Sequence, residues 1–299
     1  MKIILTGSLG PISKPLAVKL IAEGHDVTVI SSNKDKENEI EILGSKAAIG
    51  NIEDIDFMAE IFTGADVAYL MQPTINFFDP ALDILKHYEK ICEKYVQAIL
   101  KSGLKRIVHL SSIGGHSSTG NGMLAFHYYA EQTLKKLPED VTITTLRPVS
   151  FYSNIMAFLP TIKGQKAIIT SYKANEPEPW ASPFDIADAA AEELTAVTAG
   201  RKVRYIISDE VSSDRLVQVL GDAIGEEIEW ITVSHIALKE LYKSFGMSPQ
   251  AANGFVKLNE AKNRGILYED LAKHKKEITL GKVKIEDFAK EFTAAYKNS

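Results

Sequence analysis

The sequence is short of several things at once. It holds a single cysteine, Cys92, so no intrachain disulfide can form and the chain suits a reducing compartment. The helical pattern of apolar and charged residues around Cys92 marks it as a packing residue rather than a reactive thiol. From the opening MKIILTG onward, no apolar run reaches the length of a signal peptide or a membrane span, and the expectation is a cytoplasmic protein. Basic residues are not in excess. Lys and Arg number 34 against 39 Asp and Glu, and a net charge of −5 argues against a nucleic-acid partner, which needs clustered cations. The stretch Lys273, Lys275, Lys276 is brief and meets Glu277, as a solvated helix end would. Motifs are missing too. There is no Gly-x-Ser-x-Gly elbow and no phosphate loop ending in Gly-Lys-Ser/Thr. His109, His116 and His127 lack a metal-ligand spacing and have no thiolate pair beside them, so no metal site is expected.

What is present is an ordinary globular composition, 45% hydrophobic and 24% charged over 299 residues, enough for one or two domains. Lys2 to Thr6 is a short apolar, β-branched run that ends in Gly7-Ser8-Leu9-Gly10. A helical stretch with Leu16, Val18, Leu20 and Ile21 follows, closed by Gly24, and Asp26 to Ile30 is a second strand. Strand, glycine turn, helix and strand make one βαβ unit. The alternation continues through strands at 47–49, 65–71, 106–111 and 142–146, with helices at 80–103 and 125–137. Unbroken apolar strands alternating with helices imply a parallel sheet covered on both faces. After Pro148 the periodicity weakens; a helix is expected at 185–197 and strands at 202–208 and 228–233. The fold expected is α/β, a Rossmann doubly wound parallel sheet with a smaller, mostly helical C-terminal lobe. Residues 1–154, with 182–208 returning to them, form the nucleotide-binding domain. Residues 155–181 and 209–299 form a substrate or partner lobe, and the cleft between is the default ligand site.

The glycine turn carries the chemistry. At the carboxyl end of a first strand it sets the free N–H groups and dipole of the next helix against a diphosphate. Gly7 permits the tight turn, Gly10 permits close approach, Ser13 is the third small position, and Pro11 is expected just inside the helix. At the end of the second strand, a site for NAD usually carries an acid for the ribose hydroxyls. Here the chain reads Ser31-Ser32-Asn33-Lys34, with no acid before Asp35. Hydroxyls, an amide and a cation suit a 2′-phosphate, so NADP(H) is expected over NAD(H); the other reading is a merely polar loop.

Taken together, TGSLGPIS (6–13), GNIED (50–54), HLSSIGG (109–115), TTLRPVSFYSN (144–154) and SPFDIADAA (182–190) resemble the NmrA-like group of atypical short-chain dehydrogenase/reductase proteins, in the NAD(P)-binding Rossmann superfamily. Order and spacing agree over roughly the first 210 residues. The resemblance implies that Thr6, Gly7, Leu9, Gly10, Pro11 and Ile12 form the diphosphate turn. It puts Ser32, Asn33 and Lys34 at the adenosine phosphate, and Asn51 and Ile52 beside adenine, with Asn51 replacing the usual acid. Met71, Gln72 and Pro73 match the loop running along the cofactor, Ser111 and Ser112 the active-site serine region, and Pro148, Val149, Ser150 and Phe151 the segment near the nicotinamide.

One departure matters. Many relatives carry a Tyr-x-x-x-Lys pair on the helix after the serine strand, in which Lys lowers the Tyr pKa for proton exchange. Aligned on Glu131 and Leu134, Met123 falls at the Tyr position and His127 at the Lys position; the other register gives Tyr128 and Gln132. His127, Ser112 and Tyr128 are therefore the candidate catalytic residues, each with a packing role as its alternative. His109 is expected as a satisfied core histidine and Asp185 in a capping or structural role. Phe77, Phe78, Phe151, Tyr152 and Trp180 are candidates for an apolar cleft wall, with core packing as the alternative for each and the preferred reading for Trp180. Two functions fit: an NADPH-dependent reductase of a small apolar quinone- or enone-type acceptor, or a non-catalytic NADP(H)-responsive regulator that binds a partner protein. Whether the chain acts as a monomer or a homodimer is left open.

Overall fold

The computed structural model describes residues 1–172, 176–197 and 199–298; residues 173–175 of the expected lobe segment, with Thr198 and Ser299, lie outside the described residues. Six strands come first: β1 (Lys2–Leu5), β2 (Asp26–Ser31), β3 (Lys46–Ile49), β4 (Val67–Met71), β5 (Arg106–Leu110) and β6 (Thr142–Pro148). Then β7 (Ser150–Phe151), β8 (Ala167–Thr170) and β9 (Glu178–Ala181) leave the sheet before β10 (Arg201–Ile206) rejoins it beside β6. The central sheet is parallel throughout, in the order β10-β6-β5-β4-β1-β2-β3. The strand order reverses between β1 and β4, which opens a crevice at their carboxyl ends.

Both faces are covered, which is why the strands are apolar without alternation. On one face α1 (Ser13–Ala22) packs beside α7 (Pro183–Thr195), burying Leu5, Leu16, Leu20 and Ala190. α2 (Glu37–Ile42) bridges β2 to β3 and buries only Ile40. On the other face α3 (Ile55–Phe62), α4 (Ile84–Ser102) and α5 (Ala125–Leu134) bury Ile4, Phe62, Leu70, Tyr95 and Ile107. Local chemistry sets the ends. α4 starts at Ile84 rather than Pro80, because the Asp83 carboxylate accepts the Lys86 N–H at 3.2 Å, and it ends on left-handed Gly103. α5 stops three residues short of the expected Leu137. α1 starts at Ser13, so Pro11 sits in the preceding turn and not inside the helix: the turn closed by Gly10 N–H on Gly7 O uses up those residues.

The lobe is helical, with α6 (Leu159–Gln165), α8 (Ser213–Ile224), α9 (His235–Ser244), α10 (Pro249–Asn263), α11 (Glu269–Lys273) and α12 (Ile285–Asn298). It also holds two small sheets. β11 (Asp209–Val211) pairs with β9, which pairs with β7, and β12 (Glu229–Thr232) pairs with β8. Tyr152 stacks on Trp180 at 5.7 Å and on Phe288 at 5.3 Å, all three buried. Trp180 is thus in the lobe's own core, as expected, and Tyr152 joins it there rather than in a cleft wall, because the planes of three large rings bury most area against each other. Phe77 packs edge-on against Phe255 of α10, while Phe78 is exposed.

A strap from Glu277 to Lys284 crosses the end of β10. Gly281 N–H bonds Ile207 O at 2.8 Å, and the Asp185 carboxylate accepts the N–H groups of Lys282 and Val283 at 3.0 and 3.1 Å. Ser182, not Asp185, caps α7; Asp185 instead anchors the strap. No helix among the described residues is long and apolar enough to cross a membrane, and no group of His, Cys, Asp and Glu among them is arranged to hold a metal.

Candidate functional site

The site is built from the crevice upward. Thr6, at the end of β1, donates its hydroxyl to Tyr69 O at 3.1 Å and accepts the Met71 N–H at 2.9 Å, so the ends of β1 and β4 are fixed together. The chain then turns through Gly7, at φ +92°, and Ser8, at φ +53°. The Ser8 hydroxyl donates to Ser31 Oγ at 2.9 Å, which stitches the turn to the end of β2. Ser13, fully buried, donates to Thr6 O at 3.0 Å, a position with no room for a longer side chain.

The first turn of α1 is left open. No side chain caps it, and no acid stands in it. The N–H groups of Leu9, Ile12 and Ser13 have no acceptor among the described residues. Orphan donors at the positive end of a helix, beside a side-chain-free Gly10, are what a diphosphate requires. The residues fit that group.

The adenosine side is a rim of exposed residues. Ser32, Asn33 and Lys34 are all exposed. Asn33 spends its carbonyl on the Asp35 N–H at 2.9 Å and keeps its amide N–H groups free; Lys34 has no ion pair among the described residues. Asn51 likewise accepts the Glu53 N–H, and Ile52 is half-buried beside it. The loop after β4 is pinned from beneath by α4. Tyr95 donates to Met71 O and Tyr88 to Pro73 O, each at 2.9 Å. The Gln72 side chain is buried and turns inward, its Nε2 2.9 Å from His109 Nε2 and 3.7 Å from Cys92 Sγ. Gln72 therefore offers the crevice only its backbone, whereas Met71 and Pro73 remain half-exposed.

At the end of β5, Ser111 is buried and donates to Glu131 Oε1 at 2.6 Å. The Ser112 hydroxyl has no hydrogen-bond partner among the described residues. His127 lies one helical turn above Glu131 on α5, hence on the same face and nearer the carboxyl edge of the sheet. Its ring packs on Phe126 at 4.0 Å, and its Nδ1 is buried without a partner. Tyr128, half-buried, meets Tyr129 edge-on at 5.5 Å, one residue round the helix from that face. Pro148 and Val149 are buried, so Val149 contributes backbone only, while Ser150 and Phe151 are half-buried on β7.

Sequence reasoning missed the charged group beneath these residues. Arg147, 5% exposed, grips Glu131 with two bonds of 2.9 and 2.7 Å, and reaches Asp270 of α11 at 2.9 Å and the Tyr205 hydroxyl at 3.1 Å. Tyr205 also donates to Asp270 at 2.8 Å. The signal for it was a charge of each sign at positions that the apolar pattern assigns to the interior.

His109 is less satisfied than the sequence suggested. If Gln72 donates to Nε2, the ring proton sits on Nδ1, which is buried without a partner. Burial, with the Arg147 charge, pushes His109 down to about 3. Burial, then His109 and Arg147, pushes His127 down to about 3 as well. Both rings are thus neutral in the folded protein at neutral pH. The unfolded chain protonates them near ~6.5, so the stability they contribute is full above that pH and falls as the pH drops toward about 3. Urea unfolding compared at neutral pH and near pH ~5 is expected to show this loss, and His109→Gln to shrink it. An equal loss in that variant would assign the effect to other groups.

An open parallel sheet with a glycine turn at its strand-order reversal defines the Rossmann class of α/β proteins. Residues 1–289 match the NmrA-like family, and the chain belongs to it. It is 25% identical over 272 residues to the uncharacterized oxidoreductase YesF of Bacillus subtilis (strain 168), covering 88% of this chain and 85% of that one. Its fold is shared with the NADPH-dependent quinone oxidoreductase of Escherichia coli solved with NADPH, at a TM-score of 0.79 and 17% identity over 97% of this chain and 99% of that one. It is shared equally with the triphenylmethane reductase of Citrobacter sp., at a TM-score of 0.78 and 17% identity over 98% and 100%.

Proposed function

We propose that this chain is an NADP(H)-dependent oxidoreductase that reduces a small apolar acceptor of the quinone or enone type without a Tyr–Lys pair. The observation that carries the reading is the uncapped opening of α1, with the free N–H groups of Leu9, Ile12 and Ser13 beneath the Gly7–Gly10 turn. The exposed Ser32-Asn33-Lys34 rim favours a 2′-phosphate, and the quinone and triphenylmethane reductases that share the fold support the acceptor class.

When bound, the dinucleotide supplies a hydride. The chain's own residues then have distinct tasks. The α1 amides hold the diphosphate, and Asn51 and Ile52 flank the adenine. Met71, Pro73 and Phe151 give the groove apolar contacts, and the backbone from Pro148 to Ser150 borders the nicotinamide. Ser111 is committed to Glu131 and shapes the strand end, whereas the free Ser112 hydroxyl is available to an acceptor oxygen. His127 is neutral, so it donates an N–H to the ribose or the acceptor and does not act as an imidazolium acid. A quinone-type oxygen takes its proton from solvent, or from Tyr128.

Calorimetry with the four oxidised and reduced pyridine dinucleotides tests the first half. NADPH is expected to bind at least ~10-fold tighter than NADH, a difference of about 1.4 kcal/mol. Following NADPH oxidation with menadione and a panel of enones tests the second. If none of the dinucleotides binds, the whole reading falls; if NADPH binds and no acceptor is reduced, the regulatory function replaces the enzymatic one.

A further inference from the structure

We propose that the chain carries a second small-molecule site, in a cavity beside β9 that takes a neutral, apolar-bodied molecule bearing one hydroxyl or carbonyl oxygen. The cavity holds about 730 Å³, within the range that suits molecules of drug size. Pro177, Pro179, Ile207, Leu271, Ile278 and Leu280 give it apolar walls. No residue of the glycine turn, of the loop after β4 or of the Ser111–Ser112 strand end lines it, nor does His127. The site is distinct from the cofactor groove and does not rest on it.

One end of the cavity is polar. Lys262 of α10 and Glu178 of β9 both line it and meet at 3.3 Å, their side chains only 8% and 12% exposed. The Lys262 ammonium lies 4.2 Å from the centre of the Tyr172 ring and bonds the Tyr172 hydroxyl at 3.2 Å. The Tyr268 hydroxyl donates to the other oxygen of Glu178 at 3.4 Å. A desolvated ion pair contributes little to stability compared with apolar packing of the same volume. This one faces open space that it does not fill.

The chemistry of that end selects the ligand. The pair is neutral as a unit, and Glu176, Glu210 and Lys275 also line the cavity, so a ligand carrying a full charge of either sign meets a like charge there. An ammonium has three N–H donors, of which Glu178 and Tyr172 take two, leaving one for a ligand oxygen. The Glu178 oxygens retain lone pairs for a ligand hydroxyl. A phenol, alcohol or ketone on a flat apolar body matches both groups and the walls.

The test is calorimetric titration of the full chain with para-phenylphenol, with and without saturating NADPH. Ala272 is exposed on α11 at the cavity wall, so Ala272→Trp fills the space without touching the core. Ala272→Trp and Lys262→Met are each expected to weaken the probe at least ~10-fold, and biphenyl carboxylate and biphenyl methylammonium to bind at least ~10-fold more weakly than the phenol. NADPH is expected to leave the probe in place. Absence of binding to the native chain, Ala272→Trp within ~2-fold of it, or displacement of the probe by NADPH would each overturn the proposal. Should Lys262→Met not fold, Ala272→Trp decides alone. A failure of NADPH itself to bind would sink the cofactor reading and leave this one standing.

Discussion

Gly7→Ala is expected to weaken NADPH binding by ~100-fold or more, about 2.7 kcal/mol. A methyl group at Gly7 would stand 2.2 Å from Met71 Sδ and 2.7 Å from Ser13 Oγ. The Met71 thioether can swing aside, but the Ser13 hydroxyl is buried and holds Thr6 O, so it cannot yield cheaply. The φ of +92° adds a penalty of about 1–2 kcal/mol for any residue with a Cβ. The turn would therefore move, and with it the amides that open α1. Gly24→Ala is the internal control, since it shares the positive φ, at +82°, while its methyl would meet nothing within 4 Å and lies away from the turn. Calorimetry and thermal melts on both variants separate lost binding from lost folding. Native-like NADPH affinity in a folded Gly7→Ala protein would refute the account.

The second large effect lies beneath the site. Arg147→Met is expected to destabilise the protein by about 3–5 kcal/mol, because it leaves the Glu131 carboxylate buried with no cation and Asp270 with Lys273 at 3.5 Å and the Tyr205 hydroxyl. Urea denaturation measures it. Adding Glu131→Gln to Arg147→Met should restore part of the loss, since the charge stranded at Glu131 is then gone. A cost below ~1 kcal/mol for Arg147→Met would show that water or a rearranged lysine replaces the guanidinium. The effect should also reach the site, for Glu131 holds Ser111, and a methyl on Gly115 would sit 2.3 Å from Glu131 Oε1.

These two predictions mark the range of what the sequence discloses. Gly7 and Gly10 were legible because a turn, a helix start and a strand end write their demands within a dozen residues. The central strands were legible for the same reason: burial on both faces leaves an apolar run that needs no partner to be recognised. β12 was legible as the strand expected at 228–233, but its partner β8 was not: it is four residues long, and the pairing Ala167–Glu229 spans more than sixty residues of chain. β9 carries Pro179, which argues locally against a strand and is tolerated in a three-stranded sheet of short segments. The Arg147–Asp270 contact joins residues 123 apart and leaves no periodicity to read. At the candidate site, residue types could be placed but not their commitments. Only the packed chain shows that Gln72 turns inward to His109 and that Ser111 is spoken for while Ser112 is not.

The strap over β10 has a consequence for how copies of this chain meet one another. A parallel sheet always ends in two strands with one row of unmet backbone groups, and such rows invite pairing with a neighbouring molecule. At one margin β3 is only four residues long. At the other, Gly281 already occupies the Ile207 carbonyl, while Lys202 and Arg204 stand out from the strand on Glu192 and Glu193. By tying the strap down, Asp185 holds Gly281 over the end of β10 and narrows the margin open to a neighbouring strand, a role that owes nothing to catalysis.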